Sequence, residues 1–308
     1  MDFNTLSAIL GGAWLIHPAY ARAQMRTIAQ ELKTRAQAYD LTSAYKNRLE
    51  TLPTQYFNPK QRNFTGLKSD VYSVSPYTST ERLPYNSIAM VDIIGPVLKY
   101  GDSCTYGTVE YNDLVNRLTA SNRVSGILMN FDGPGGQADG TPMLSQTIRA
   151  ASAIKPVVGI VQNGIAASAT YWLACACQEL YVTQATDKVG SIGAYQTLLD
   201  FAGYLEQLGV KEIDIYAPQS VDKNKGYRDA LAGDTSLIEA DLKALVDDFI
   251  SGVKANRGGR LNTKTENPFT GKMYNAADAK KIGLHDGVST ITQVVGRLQN
   301  LIDLRQAA

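Results

Sequence analysis

From Asn86 onward, short apolar runs alternate with segments of helical character, and this alternation most constrains the fold. The runs are nearly continuous in hydrophobic residues, as in strands that are buried on both faces. They are Ile88–Ile94, Val124–Phe131, Val157–Val161 and Leu180–Thr183. Helices are predicted near residues 109–120, 140–153, 166–177, 197–208 and 236–256. The alternation predicts an α/β domain in which crossover helices join parallel strands.

Residues 1–85 differ from the rest of the chain. The spacing of apolar residues in Ala21–Ala36 predicts an amphipathic helix. Residues 51–85 are rich in Pro, Tyr, Ser, Thr and Asn and show no sustained period, which is typical of an irregular linker. We therefore expect a helical and loop-rich N-terminal arm, 1–85, and one domain over 86–308.

Composition narrows the class of function. The 308 residues include 30 Lys and Arg against 29 Asp and Glu, so there is no electrostatic argument for binding nucleic acid. The apolar run at 8–16 is far shorter than the ~18–20 residues that span a bilayer. It superficially resembles a signal peptide, but no basic residue precedes it. We expect a soluble cytoplasmic protein without an integral membrane segment.

Histidine and cysteine offer little chemistry. No CxxC pair exists among Cys104, Cys175 and Cys177, and three cysteines in a chain are most simply read as thiols of a reducing compartment. A Ser-His-Asp triad would need His17 or His285, and a structural role is the better interpretation of each. Phosphate-binding glycine motifs are absent as well, so neither a metal nor a cofactor is expected.

Two segments could support acyl-transfer chemistry. The strand ending at Phe131 runs into Asp132-Gly133-Pro134-Gly135-Gly136, where a sharp turn could present N–H groups to an oxyanion, or could simply be a turn. Ser168 stands between alanines at the start of an apolar helix, where its hydroxyl would lie near the positive end of the helix dipole. The alternative is that Ser168 only caps the helix.

A third small-residue segment, Val189–Gly193, could pass behind such a site, and the polar stretch Ser220–Lys225 follows it. Because no histidine is well placed, a lysine is the remaining candidate base for a serine. Burial would have to lower the pKa of that lysine from about 10.4 toward neutrality. An exposed Lys223 or Lys225 would be an ordinary solvated charge.

The order of these segments resembles the protease IV / signal peptide peptidase A (SppA) family, and more closely its phage and prophage branch of head-maturation proteases. The likeness covers roughly residues 86–300 and includes Asn256-Arg257-Gly258 and the stretch from Phe269-Thr270-Gly271-Lys272 to Asp286-Gly287. The resemblance implies a ClpP/crotonase-like spiral of ββα units.

Family roles can be carried over to matching positions. The resemblance makes Ser168 the nucleophile, with the N–H groups of Gly135 or Gly136 and of Ala169 as oxyanion donors. The family usually reads D-S-P-G-G, but this chain has Gly133 where that serine stands.

The resemblance also makes Lys223 the general base, with Lys225 as the fallback, and gives Ser191 the role of supporting the lysine. In related enzymes the dyad is completed between neighbouring protomers or domains, so a homo-oligomer with shared active sites is implied. The family usually reads S-G-G-Y, whereas Ala169 and Thr170 replace the two glycines here. These side chains would narrow the approach to the nucleophile.

The leading hypothesis is a serine endopeptidase that processes scaffold or capsid proteins during phage or prophage prohead maturation, in the host cytoplasm or within the prohead. A housekeeping signal-peptide peptidase-like protease is the first alternative. An inactive assembly or scaffold module of the same fold is the second, and an acyl-CoA enzyme of the crotonase kind is the third.

Overall fold

A computed structural model describes residues 14–16, 52–57, 68–101, 105–198, 200, 202–211 and 213–307. The strands are β1 (Trp14–Ile16), β2 (Thr54–Phe57), β3 (Val71–Val74), β4 (Ser87–Ile94), β5 (Val124–Gly133), β6 (Gly135–Gln137), β7 (Val157–Ala167), β8 (Glu179–Val182), β9 (Lys188–Gly190), β10 (Met273–Asn275) and β11 (Gly287–Val288). The helices are α1 (Thr108–Ala120), α2 (Thr141–Ile154), α3 (Ala169–Ala174), α4 (Ala202–Gln207), α5 (Lys225–Leu231), α6 (Ser236–Arg257), α7 (Ala276–Lys281) and α8 (Ile291–Ala307).

A mixed sheet forms the centre of the described part of the chain, in the order β10-β9-β7-β5-β4-β3-β2, with β8 and β11 branching from β7. Strands β3, β4, β5 and β7 are parallel to one another. Ile127 and Met129 of β5 point into one core layer, while Leu128 between them points into the opposite layer. The apolar runs are continuous because helices cover both faces of the sheet.

The long strand β7 joins two parts of the sheet. Its first half, Val158–Val161, pairs with β8, and its second half, Ile165–Ala167, pairs with β9. Along the chain, β5 and β6 precede α2, and β8 and β9 precede α4, which is the strand–strand–helix order expected of a ββα spiral. The predicted ClpP/crotonase-like α/β fold is confirmed.

The predicted irregular linker at residues 51–85 is wrong at two places, because β2 and β3 lie within it. Strand β3 runs parallel to β4, and only its end residues Val71 and Val74 are buried. Four residues with that pattern are too short to give a clear period. The division of the chain at residue 85 stays a prediction, and the helix predicted at Ala21–Ala36 lies outside the described residues.

Helix boundaries show smaller differences. The predicted helices at 166–177 and 197–208 are shorter, spanning Ala169–Ala174 and Ala202–Gln207. Thr235 is the N-cap residue of α6, and its hydroxyl donates to Glu239 Oε1 at 2.6 Å. None of the helices in the described ranges is long and apolar enough to cross a bilayer.

Candidate active site

Ser168 lies at the junction of β7 and α3 in a strained backbone conformation. Its φ of 54° and ψ of −119° lie in a region that side-chain-bearing residues rarely adopt, at a cost of about 1–3 kcal/mol. Strand β9 and helix α3 hold this geometry: the Ser168 N–H donates to Gly190 O at 2.8 Å, and the Ser168 carbonyl accepts from the Trp172 N–H at 2.9 Å. Strain of this kind, held in place by the surrounding structure, is typical of functional positions.

The Ser168 side chain is not a helix cap. The residue occupies the N-cap position of α3, yet its hydroxyl makes no capping hydrogen bond. The hydroxyl instead donates to Gly193 O at 3.4 Å, and the residue is 1 % exposed. Because that hydrogen bond is long, the hydroxyl is only weakly held. The alternative of a simple cap is therefore wrong.

The glycine-rich turn comes next to this serine. Gly133 pairs with Ala166 at the end of β5, and the Gly135 N–H donates to Thr170 Oγ1 at 3.2 Å. Gly135 has a φ of 95°, and a Cβ at Gly136 would lie 1.8 Å from Val97 O. Both positions therefore require glycine. Their assignment, with Ala169, as oxyanion donors stays a prediction.

Two departures from the family pattern, Gly133 and Thr170, lie side by side. A Cβ added at Gly133 would lie 2.6 Å from Thr170 Oγ1 and 2.4 Å from Gly95 O. The Thr170 side chain, which is fully buried, thus lies in the space that a side chain at position 133 would need. Threonine at one position and glycine at the other keep the turn packed, so Thr170 is part of the site's framework. From the sequence alone, nothing indicated that Gly133 and Thr170 are in contact.

Ser191 is brought close to Ser168 by the backbone on either side of it. The carbonyls of Gly190 and Gly193 accept the hydrogen bonds from Ser168 N–H and Oγ. Ser191 is 5 % exposed, has a φ of 55°, and donates its N–H to Lys272 O at 2.8 Å. The predicted small-residue segment therefore does pass beside the nucleophile candidate.

Within the described part of a single chain, neither lysine candidate makes a hydrogen bond to Ser168. Lys223 is exposed in a turn that precedes α5, and Lys225 Nζ forms an ion pair with Asp229. Over the described ranges, no hydrogen bond joins either lysine to Ser168. The lysine of the FTGK stretch, Lys272, forms an ion pair with Glu266, and this hydrogen bond raises its pKa, so it is not a neutral base.

Large apolar side chains are exposed around the lysine segment. Ile215 is 91 % exposed, and the others in this stretch are more than half exposed. They are Tyr204, Leu208, Val210, Ile213 and Val221. Exposed apolar side chains in such number are typical of a segment that contacts another protein.

Asp187 is a residue of the site's framework that the sequence did not single out. It is 2 % exposed, and Oδ1 accepts the Gly164 N–H at 3.0 Å. Oδ2 accepts from the N–H and hydroxyl of Thr183 and from the Gln184 N–H at 2.8–2.9 Å. The carboxylate therefore holds β7 at Gly164, between its pairing with β8 and its pairing with β9. The sequence feature that could have indicated this role is an aspartate in the short polar connection between β8 and β9.

Residues of the C-terminal motifs contact one another and the helix α3 that follows Ser168. Arg257, whose side chain is fully buried, forms two hydrogen bonds with Asp286, and Asp286 also accepts the Leu180 N–H at 2.7 Å. Burial would raise the pKa of Asp286, but the hydrogen bonds and charge of Arg257 outweigh it and hold that pKa below its usual value. The Tyr171 hydroxyl, three residues after Ser168, donates to Leu284 O at 2.9 Å.

The remaining sequence candidates have structural roles or lie elsewhere. His285 is buried, its Nε2 lies 2.7 Å from Ala276 O, and burial lowers its pKa. Cys175 and Cys177 are buried free thiols, and burial raises the pKa of both, that of Cys175 to about 11. His17 and Cys104 lie outside the described residues.

Comparison with known proteins identifies the family. The model of peptidase family S49 matches residues 149–305, just over half of the chain. The chain belongs to peptidase family S49. The matched region includes Ser168, Ser191 and both lysine candidates.

Relatives come from an archaeon and from a phage. The chain is 28% identical over 194 residues to a putative protease of Methanocaldococcus jannaschii, covering 63% of this chain and 61% of that protein. It is 26% identical to the capsid assembly protease C of Escherichia phage lambda, covering 72% of this chain and 51% of that protein. The chain thus spans about half to three fifths of the length of these two relatives.

Among solved structures, the fold is similar to that of the membrane-bound stomatin-specific protease 1510-N. The TM-score is 0.41 at 18% identity, and the match covers 69% of this chain and 84% of that one.

Proposed function

We propose that the protein is a serine endopeptidase with Ser168 as its nucleophile and a lysine as its general base. The observation that carries this proposal is the strained, buried serine at a strand–helix junction beside a glycine-rich turn. That arrangement aims a weakly held hydroxyl at a place where backbone N–H groups could bind a developing negative charge. Membership of a peptidase family supports the same chemistry.

The mechanism needs no metal or cofactor. A neutral lysine takes the proton of Ser168 Oγ as the oxygen attacks the carbonyl carbon of the scissile peptide bond. The tetrahedral oxyanion is bound by the N–H group of Gly135 or Gly136 and by that of Ala169. Removing one such donor costs about 10²–10³ in rate. The lysine then protonates the leaving amine, the C–N bond breaks, and water hydrolyses the acyl-enzyme.

The base is proposed to be Lys223 of a second copy of the chain, with Lys225 as the fallback and Ser191 orienting the lysine. Two observations support a second copy. Lys223 is exposed and makes no hydrogen bond to Ser168 of its own chain, and the chain that leads to it exposes large apolar side chains, among them Ile213, Ile215 and Val221. Docking that surface over a neighbouring site would bury both the apolar side chains and the lysine. Burial lowers the pKa of a lysine, which the mechanism requires.

The biological role is proposed to be capsid maturation in a phage or prophage. Support comes from the relative named as a capsid assembly protease of phage lambda. Substrates would then be scaffold or capsid proteins in the host cytoplasm or inside the prohead. An assembly-dependent active site suits that role, because an isolated chain would not cleave other proteins of the cell.

The test is intact-mass analysis after incubation with a reduced, carboxymethylated lactalbumin, which is unfolded. Wild type, Ser168→Ala and Lys223→Ala are compared, with Lys211→Ala, an exposed lysine nearby, as the matched control. We expect fragments from wild type and Lys211→Ala only. Activity kept by Lys223→Ala and lost by Lys225→Ala would move the base to Lys225.

Other outcomes separate the alternatives. Cleavage by Ser168→Ala at the wild-type rate would refute the serine mechanism. No cleavage by any form, including forms co-expressed with capsid protein, would favour an inactive assembly module. Thioester hydrolysis that survives Ser168→Ala would point to the acyl-CoA chemistry of the crotonase kind.

A further inference from the structure

A short N-terminal strand lies along the glycine-rich turn. Strand β1, Trp14–Ile16, pairs antiparallel with β6, Gly135–Gln137, as a two-stranded sheet separate from the main one. Leu15 is opposite Gly136, and Ile16 is opposite Gly135. The part of the chain that precedes the catalytic domain thus contacts the segment to which the oxyanion donors were assigned.

The two edges of β6 have different partners. On one edge, Val97 N–H donates to Gly135 O and Gln137 N–H donates to Val97 O, both at 2.8 Å. Backbone groups alternate between the edges along a strand. The N–H and C=O of Gly136 therefore face the other edge, where β1 lies, and Leu15 and Gly136 form a hydrogen-bonded pair.

The edge facing β1 is suited to an extended polypeptide. Gly135 and Gly136 have no side chains to keep a neighbouring strand away, and Gly135 is linked to Thr170, two residues after Ser168. An extended chain adds to an open strand edge through main-chain hydrogen bonds, so sequence matters little for the pairing itself. A protease substrate lying here would have its backbone beside the nucleophile.

We infer that Trp14–Ile16 is an internal occupant of the peptide-binding edge, and that it must leave Gly135–Gln137 before a substrate polypeptide can pair there. The inference rests on the proposed function, because it takes this edge to be the place where substrate binds. Strand β1 is then an autoinhibitory segment, and its release by substrate or by an assembly partner makes the edge available.

The pairing of β1 with β6 is weak enough to be reversible. The pairing involves three residues on each strand, and two-stranded pairing of this length is marginally stable in water. When the open state is a minor fraction of the molecules, the apparent affinity for substrate is lowered by that fraction. An edge that is open in about a tenth of molecules would weaken substrate binding by about tenfold.

The test uses full-length protein in the Ser168→Ala background, so that binding is measured without cleavage. Leu15→Pro removes the N–H that pairs with Gly136, whereas Leu15→Ile keeps it and is the matched control. Hydrogen exchange is followed in peptides spanning residues 133–140, and binding of fluorescein-labelled carboxymethylated lactalbumin is measured by anisotropy. We expect Leu15→Pro to exchange faster in 133–140 and to bind the labelled protein about tenfold more tightly, with Leu15→Ile unchanged.

Two results would overturn the inference. Equal exchange in Leu15→Pro and its parent would show that β1 does not protect the edge. Faster exchange with unchanged binding, or with no binding in either form, would show that β1 and the polypeptide do not compete. Because neither measurement needs catalysis, a failure here is distinct from a failure of wild type to cleave lactalbumin.

Discussion

Gly133 and Thr170 provide a quantitative test of how the site is packed. A Cβ at position 133 would lie 2.6 Å from Thr170 Oγ1 and 2.4 Å from Gly95 O. Gly133→Ala is therefore an overpacking substitution, for which we expect a loss of about 1–3 kcal/mol in the free energy of unfolding. Thr170→Ala alone leaves the Gly135 N–H without its partner and is expected to cost about 1–3 kcal/mol.

Combined, the two substitutions should cost less than the sum of their separate effects. In the double variant the contact with Thr170 Oγ1 is gone, while the contact of the new Cβ with the backbone oxygen of Gly95 remains, so the relief is partial. We expect a coupling free energy of about 1 kcal/mol or more in the compensating direction. Thr170→Val is the control, since its methyl group fills the place of the hydroxyl and should give little relief.

Urea unfolding of the four forms of this cycle, followed by circular dichroism, supplies the measurement. Additivity within about 0.5 kcal/mol would refute the reasoning, because residues in contact should not behave as independent sites. Equal relief from Thr170→Val and Thr170→Ala would also contradict it, since the steric conflict is with the γ atom that valine replaces.

Two pH-dependent stability effects follow from the buried ionisable groups. Arg257→Met leaves the Asp286 carboxylate with Arg260 as its one remaining cationic partner among the described residues and should lower the free energy of unfolding by about 3 kcal/mol at pH 7. Because Arg257 lowers the pKa of Asp286, its stabilisation is present above the unfolded pKa of about 3.9 and is lost as pH falls through the lower folded pKa. Urea titrations at pH 7 and at about pH 3, which is below the unfolded pKa, should therefore show a smaller deficit at the lower pH, and an equal deficit would contradict this. Burial lowers the pKa of His285, so the unfolded state binds more protons below about pH 6.5, and wild type should lose stability between pH 7 and 5. His285→Gln should lose less over that range, and an unchanged slope would show that another group titrates.

The main strands could be predicted from the sequence because they are buried on both faces. Strand β5 is apolar over nearly its whole length, and burial of Ile127, Leu128 and Met129 in two core layers explains the pattern. Strand β3 was missed because Tyr72 and Ser73 are only half-buried and leave no continuous run. Short strands near the end of a sheet give weaker patterns than central ones, since fewer of their side chains are covered.

The candidate site was predictable where local backbone chemistry forms it. Ser168 and the turn at Gly133–Gly136 could be found because each sits where a buried strand ends. The lysine could not be placed, because Lys223 is exposed and no hydrogen bond among the described residues joins it to Ser168. The contact between Gly133 and Thr170 could not be predicted from the sequence either, because Gly133 ends β5, Thr170 lies in α3, and only folding brings them together.

The most direct measurement of the proposed shared site is complementation between two inactive variants. Ser168→Ala and Lys223→Ala would be purified, mixed by unfolding and refolding together, and assayed on carboxymethylated lactalbumin. If the lysine comes from a neighbouring copy, random mixing should restore activity at about a quarter of the sites while each variant alone stays inactive. A mixture as inactive as its components, alongside wild type that cleaves after the same refolding, would contradict a site shared between copies.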